Sequence, residues 1–117
     1  ILFVRVCRYT TGGTDWERPA GGIAAGESLM EAARREVREE TGYECDDYQP
    51  VYSYYPMNGV ANKLFQIVRC TATRQVAQYD AEEISDVRWF GKAEIKQMLD
   101  DRTIMDGPTL TALLLCT

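Results

Sequence analysis

Ser28 and Gly42 enclose the segment that most constrains what this chain can fold into, LMEAARREVREET. Ser28 followed three residues later by Glu31 is the signature of a reciprocal capping box, and Gly42 is a natural helix stop. Together they predict a helix over residues 29–41, with Leu29, Ala33 and Val37 as its buried stripe. Helical winding then gathers Glu36, Glu39 and Glu40 within an arc of roughly 100°, and makes Glu36 and Glu40 i,i+4 neighbours. Like charges so placed repel. Either water solvates all of them, or a divalent cation lies between them.

Around this helix the hydrophobic period changes. ILFVRVCRY (1–9) is rich in β-branched and apolar residues and reads as a strand ending in the turn TTGGT. DWERPAGGIAAGES reads as a Gly-rich loop. YQPVYSYY, KLFQIVRCTAT and SDVRWF read as strands, KAEIKQMLD as a short amphipathic helix, and TLTALLLC, led by Pro108, as a closing helix. Trp89, Phe90 and the 110–115 segment are assigned to the core. The expected fold class is α/β, a single domain over 1–117 in which helices cover the faces of a sheet. The chain opens inside an apolar run without Met, so upstream residues are expected.

Composition narrows the chemistry. The chain has no histidine and four scattered cysteines without a CxxC pair, which argues against a Cys/His zinc site and removes the usual Ser-His and Cys-His nucleophile pairs. Free thiols packed as small hydrophobes are the expectation for Cys7, Cys45, Cys70 and Cys116. Carboxylates and metal-activated water remain. The net charge of -5, with basic residues scattered rather than striped, argues against a nucleic acid polymer as partner. No apolar run approaches the ~20 residues of a membrane span, and no signal segment opens the chain, so a cytoplasmic protein is expected. Eight of the 18 acidic residues fall between Glu27 and Asp47.

The spacing of those acids resembles a known pattern. Gly21, Glu27, Arg35, Glu36, Val37, Glu39, Glu40, Gly42 and Tyr43 match the Nudix box, Gx5Ex7REUxEExGU with U a bulky apolar residue, at all nine specified positions when Tyr43 counts as U. The resemblance implies a Nudix-type α/β/α sandwich with a mixed sheet flanked by helices, and hydrolysis of a diphosphate with Mg2+ or Mn2+ as cofactor. It implies Glu36 and Glu40 as principal metal ligands, Glu39 as a further ligand or water-positioning group, Glu27 as a support, and Arg35 as the residue that orients the carboxylates. Gly21 and Gly42 are read as a loop position of close approach and a helix stop.

WERPAGG (16–22) is similar to the E-x-P-A-G stretch of ADP-ribose pyrophosphatases and related nucleoside-diphosphate-sugar hydrolases, which implies the Ala20 carbonyl as another metal ligand. A general base in those enzymes commonly comes from an acidic loop before the late strand, here Glu82 or Glu83, with Glu83 slightly favoured. Arg8 and Arg18 are candidates for the diphosphate or terminal ribose, or are solvated surface residues. Trp16, Tyr9 and the Tyr54-Tyr55 pair are candidates for stacking on a base, or are core aromatics. Asn58 and Lys63 depart from the Ser-Pro-Gly and acidic positions of many ADP-ribose pyrophosphatases, which widens the expected substrate to nucleotide sugars as a class. The alternatives are a hydrolase of nucleoside triphosphates or dinucleoside polyphosphates, and a non-catalytic nucleotide-binding module. The subfamily resemblance also implies a homodimer whose amino-terminal segments complete the partner's site.

Overall fold

A computed structural model of the chain describes residues 1–8 and 10–116. Tyr9, one of the stacking candidates, lies outside the described residues. In chain order the elements are β1 (Leu2–Arg8), β2 (Gly13–Glu17), α1 (Leu29–Thr41), β3 (Tyr43–Tyr54), β4 (Phe65–Gln75), β5 (Ile84–Trp89), α2 (Lys92–Asp100) and α3 (Gly107–Cys116). The strands form two antiparallel sheets, β2-β1-β5 and β3-β4.

β1 is the centre of the first sheet, flanked on both sides, so its alternating residues are buried on both faces. Phe3 enters a cluster with Phe90, Ile95, Ile104 and Leu113, against which Trp16, Met98 and Leu110 pack. Ile95 and Met98 come from α2, and Leu110 and Leu113 from α3, so these helices cover that face. Val4 and Val6 turn the other way and meet Ile84, Tyr79 and Val87. An α/β architecture is therefore present, as the change of hydrophobic period predicts.

Several details differ from the sequence reading. Residues 13–17 are not loop but strand β2, in register with β1 from Val4↔Glu17 to Arg8↔Gly13. Gly, Thr and Asp hide an edge strand whose ladder is satisfied by its neighbour rather than by local propensity. β3 begins directly after Gly42 rather than at Tyr48. Its acidic start conceals it, and a break in register between Asp46 and Gln49, with Asp47 at φ 60°, bends the strand in the manner of a bulge. Along α1 the expected stripe of Leu29, Ala33 and Val37 is only half-buried, and the buried residues are Ala32, Glu40 and Thr41.

Core assignments also shift. Phe90 is buried, but Trp89 is 50% exposed and makes an edge contact and an indole hydrogen bond of 3.2 Å to Tyr43. In α3 Leu113 is buried while Leu114 is 82% exposed, because a helix apolar all round cannot turn every side chain inward. The four cysteines are free, as expected, yet Cys7 is exposed and only Cys45 is fully buried.

The capping box of α1 is present in both directions, Ser28 with Glu31, and Gly42 closes the helix at φ 76° with its N–H on the Arg38 carbonyl. Gly42 does more than stop the helix. Its carbonyl accepts the Val76 N–H at 2.8 Å, and a Cβ at this position would lie 2.0 Å from the Ala77 carbonyl oxygen. Gly42→Ala should therefore destabilise the domain by about 2 kcal/mol or more, since strain in the left-handed region adds to a backbone clash. Gly59→Ala, where a Cβ meets nothing within 4 Å, should change little. Denaturant titration of the two variants checks the contrast.

Candidate active site

Residues 18–27, between β2 and α1, fold back along the carboxylate face of the helix. The Ala20 N–H donates to Glu40 Oε2 at 2.7 Å. Gly21 lies so close to Glu36 that an added Cβ would fall 2.0 Å from its carboxyl carbon. A side chain at residue 21 would thus displace the Glu36 carboxylate, which gives that glycine a spatial reason.

Arg35 binds the loop to the helix. Its Nε and one Nη hold Glu27 bidentately at 2.8 and 2.9 Å, the other Nη reaches Glu36 at 2.7 Å and Glu39 at 3.3 Å, and a final bond goes to the Gly22 carbonyl at 2.9 Å. A guanidinium has five N–H donors in a planar fork, and here all five have acceptors. The hydrogen bond from Arg35, helped by the Ala24 N–H, holds Glu27 well below the usual carboxylate range, at about 2. Arg35 is held correspondingly more firmly protonated by Glu27 and Glu36.

Glu40 is the exception in this cluster. It is only 8% exposed, and among the described residues its carboxylate accepts one hydrogen bond, from the Ala20 N–H. Burial raises its carboxyl to about 7 against the opposing pull of the Ala20 N–H, with the charges of Glu36 and Glu83 adding to the rise and Arg18 opposing it. Glu83 reaches this environment because its loop is tied to the end of α1, with the Asp80 N–H on the Glu39 carbonyl at 2.8 Å. A buried acid that feels two further carboxylates, only partly offset by Arg18, would gain from an added cation. Among the described residues no group of three acidic or cysteine side chains is placed to hold a metal ion by itself. Mg2+ does not require one, since it takes one or two carboxylates and fills its octahedron with waters and phosphate oxygens. Glu36, Glu40 and the neighbouring Ala20 peptide are hard oxygen donors of the right kind.

The NUDIX domain profile matches residues 1–111. This chain is a member of the Nudix family. Among curated relatives, a methanol dehydrogenase activator of Bacillus methanolicus is 29% identical over 99 residues, 82% of this chain and 54% of that protein. An ADP-ribose pyrophosphatase of Bacillus subtilis is 24% identical over 116 residues, 97% of this chain and 63% of that one. This Nudix chain thus spans about half to two-thirds of those relatives' length. A solved structure described as an ADP compounds hydrolase superimposes with a TM-score of 0.84 at 22% identity, over 97% of this chain and 62% of that one, and shows the shared fold.

Of the residues singled out in the Nudix sequence, Glu27, Arg35, Glu36, Glu39, Glu40, Ala20 and Gly21 come together as described, and exposed Glu83 is near enough to add to the rise of the Glu40 carboxyl. Glu82 is exposed, and its backbone N–H donates to Asp80 Oδ1 at 3.0 Å. Arg18 lies near Glu40 and donates to the Pro19 carbonyl at 2.9 Å. Arg8 is held in a bidentate pair with buried Glu17, at 3.0 and 2.6 Å. Trp16 packs edge-on against Phe90, ring centroids 5.2 Å apart, and so serves the core. Tyr54 packs on Phe65, while Tyr55 is exposed. Glu17 escaped the sequence reading because β2 itself was hidden. Two surface hollows, about 480 Å³ beside Arg34 and Arg74 and about 570 Å³ at residues 55–62, are not lined by these carboxylates. Chemistry rather than concavity marks this site.

The raised Glu40 carboxyl has a thermodynamic signature. A folded value near 7 against an ordinary 4.5 means that Glu40's contribution is fully present below about pH 4.5 and is lost as pH rises through about 7. In chelator, Glu40→Gln, which keeps an acceptor for Ala20, should match the parent near pH 4.5 and exceed its stability by on the order of 2 kcal/mol at pH 8. Urea titrations at the two pH values measure the gap.

Proposed function

We propose that this Nudix domain hydrolyses the diphosphate bond of ADP-ribose or a related nucleoside-diphosphate sugar, giving a nucleoside monophosphate and a sugar phosphate, with Mg2+ or Mn2+ bound at Glu36 and Glu40. The observation that carries this reading is the Arg35-ordered set of carboxylates beside buried Glu40, whose carboxyl is pushed up to about 7. The E-R-P-A-G stretch at 17–21 supports the nucleotide-sugar class, as does the similarity to a protein named ADP-ribose pyrophosphatase over nearly the whole chain.

The roles divide by position. Glu36 and Glu40 supply oxygen ligands, with the Ala20 carbonyl as a third and Glu39 as a further ligand or water-orienting group. The divalent ion, when bound, supplies charge neutralisation and Lewis acidity at the phosphate oxygens. Glu83 takes the proton of the attacking water, a role that fits a carboxylate within electrostatic reach of Glu40. Arg18 orients the diphosphate, together with whatever reach the Glu17 pairing leaves to Arg8. Trp16 is spent on the core, so base stacking falls to other residues. A cytoplasmic homodimer belongs to the same reading. Among the described residues no helix is long and apolar enough to cross a membrane.

The test is product analysis with ADP-ribose, nucleotide sugars, dinucleoside polyphosphates and nucleoside triphosphates, each with Mg2+, Mn2+ or chelator. AMP and ribose 5-phosphate formed only with metal are the expected products. Metal-independent turnover, or none with any substrate, contradicts the reading, and preference for triphosphates corrects the substrate class. Glu83→Gln should lower kcat by roughly a hundredfold or more, as loss of a general base does, while Glu82→Gln stays within about threefold. Equal effects of the two substitutions would remove Glu83 from the mechanism.

A further inference from the structure

Thr109 is fully buried, and its hydroxyl is used twice. It donates to Asp106 Oδ2 at 2.7 Å and accepts the backbone N–H of Arg18 at 3.1 Å. Asp106 caps α3, since its carboxylate accepts the Thr109 N–H at 3.0 Å and its carbonyl accepts the Leu110 N–H at 3.1 Å. Capping requires only the carboxylate and that backbone N–H. The hydroxyl is surplus to the cap, and its second bond leaves the helix.

That bond reaches the residue that begins the carboxylate-facing loop. Arg18 is followed by Pro19, whose ring fixes φ, and then by Ala20, whose N–H holds Glu40 at 2.7 Å. The Arg18 guanidinium stiffens the same turn through the Pro19 carbonyl at 2.9 Å. A continuous set of bonds thus runs from the α3 cap to the buried acid of the site: Asp106 orients Thr109, Thr109 fixes Arg18, and the rigid Arg18-Pro19 step aims Ala20 at Glu40. Asp106 and Arg8 also feel each other electrostatically, so the α3 cap belongs to the same charged neighbourhood.

We propose that Thr109, oriented by Asp106, is a positioning residue that holds the 18–21 loop against Glu40 and thereby sets the divalent-cation affinity of the site. The proposal rests on the metal reading of Glu36 and Glu40, but its first consequence, the aim of the Ala20 amide, does not need the metal. Groups that orient metal ligands from one layer out are worth 10- to 100-fold in affinity elsewhere.

Thr109→Val keeps the shape and removes the hydroxyl, and Thr109→Ser restores it. In chelated protein, amide hydrogen exchange at Arg18 and Ala20, referenced to Val4 in β1, should speed up about tenfold or more in Thr109→Val and stay near the parent in Thr109→Ser. Mn2+ titration by electron paramagnetic resonance should show about tenfold weaker binding in the valine variant alone. Protected Ala20 and Mn2+ affinity within twofold in Thr109→Val would overturn the proposal, as would equal loss of protection at Val4 and Ala20 in both variants. Should the valine variant fail to fold, Asp106→Ala, at a half-buried position, must loosen Ala20 in the same direction, and unchanged exchange there sinks the latch. A parent protein that binds no Mn2+ while Ala20 still answers to Thr109 would leave the latch standing and defeat the metal reading instead.

Discussion

The hydrogen bonding of Arg35 is the constraint on which the site depends. Carboxylates that repel one another along one helix are ordered by a single planar cation whose five donors reach Glu27, Glu36, Glu39 and the Gly22 carbonyl. Because Glu27 and Gly22 belong to the preceding loop, the same group that tempers the repulsion also closes the loop onto the helix. A lysine, with three donors on a flexible stem, cannot hold this many acceptors in one plane. Arg35 is partly exposed, so its value lies in geometry more than in folding energy.

Glu40 stands outside that fork and is treated differently. Arg35 lowers the charge cost at Glu27, whereas the buried Glu40 carboxylate accepts, among the described residues, a single backbone N–H, and burial pushes it up to about 7 despite the pull of Arg18. The loop before α1 thus carries a firmly ionised acid, Glu27, and the far end of the helix a reluctantly ionised one, Glu40, which stands to gain from an added cation. The 76–84 segment returns to the helix end through bonds to the Gly42 and Glu39 carbonyls, which brings Glu83 within electrostatic reach of Glu40. Backbone contacts made by glycines therefore shape the site as much as its charged residues do.

What could be read from the sequence followed the range of each interaction. Helix α1 and its bounds were legible because Ser28, Glu31 and Gly42 act locally, and the acidic face was legible because helical periodicity fixes it. The grouping of Glu27, Arg35, Glu36, Glu39 and Glu40 followed from the motif they match. β2 was not legible, since Gly13 and Asp15 disfavour strands and the segment pairs because β1 is beside it. Trp89 and Leu114 read as core for want of any local sign of which face meets solvent. Thr109 and Arg18, 91 positions apart, meet only in three dimensions, and no spacing rule connects them.

The Arg35 fork holds the carboxylates in the arrangement that a divalent cation would meet. Calorimetric titration of Mn2+ into the parent and into Arg35→Lys, with the fold of each verified by its unfolding transition, tests this directly. Weaker Mn2+ binding by about tenfold or more in the lysine variant, at nearly unchanged stability, is the predicted result. Equal affinity in the two proteins would contradict it, and would reduce the five-bond fork to a surface ion-pair network without a role in the chemistry.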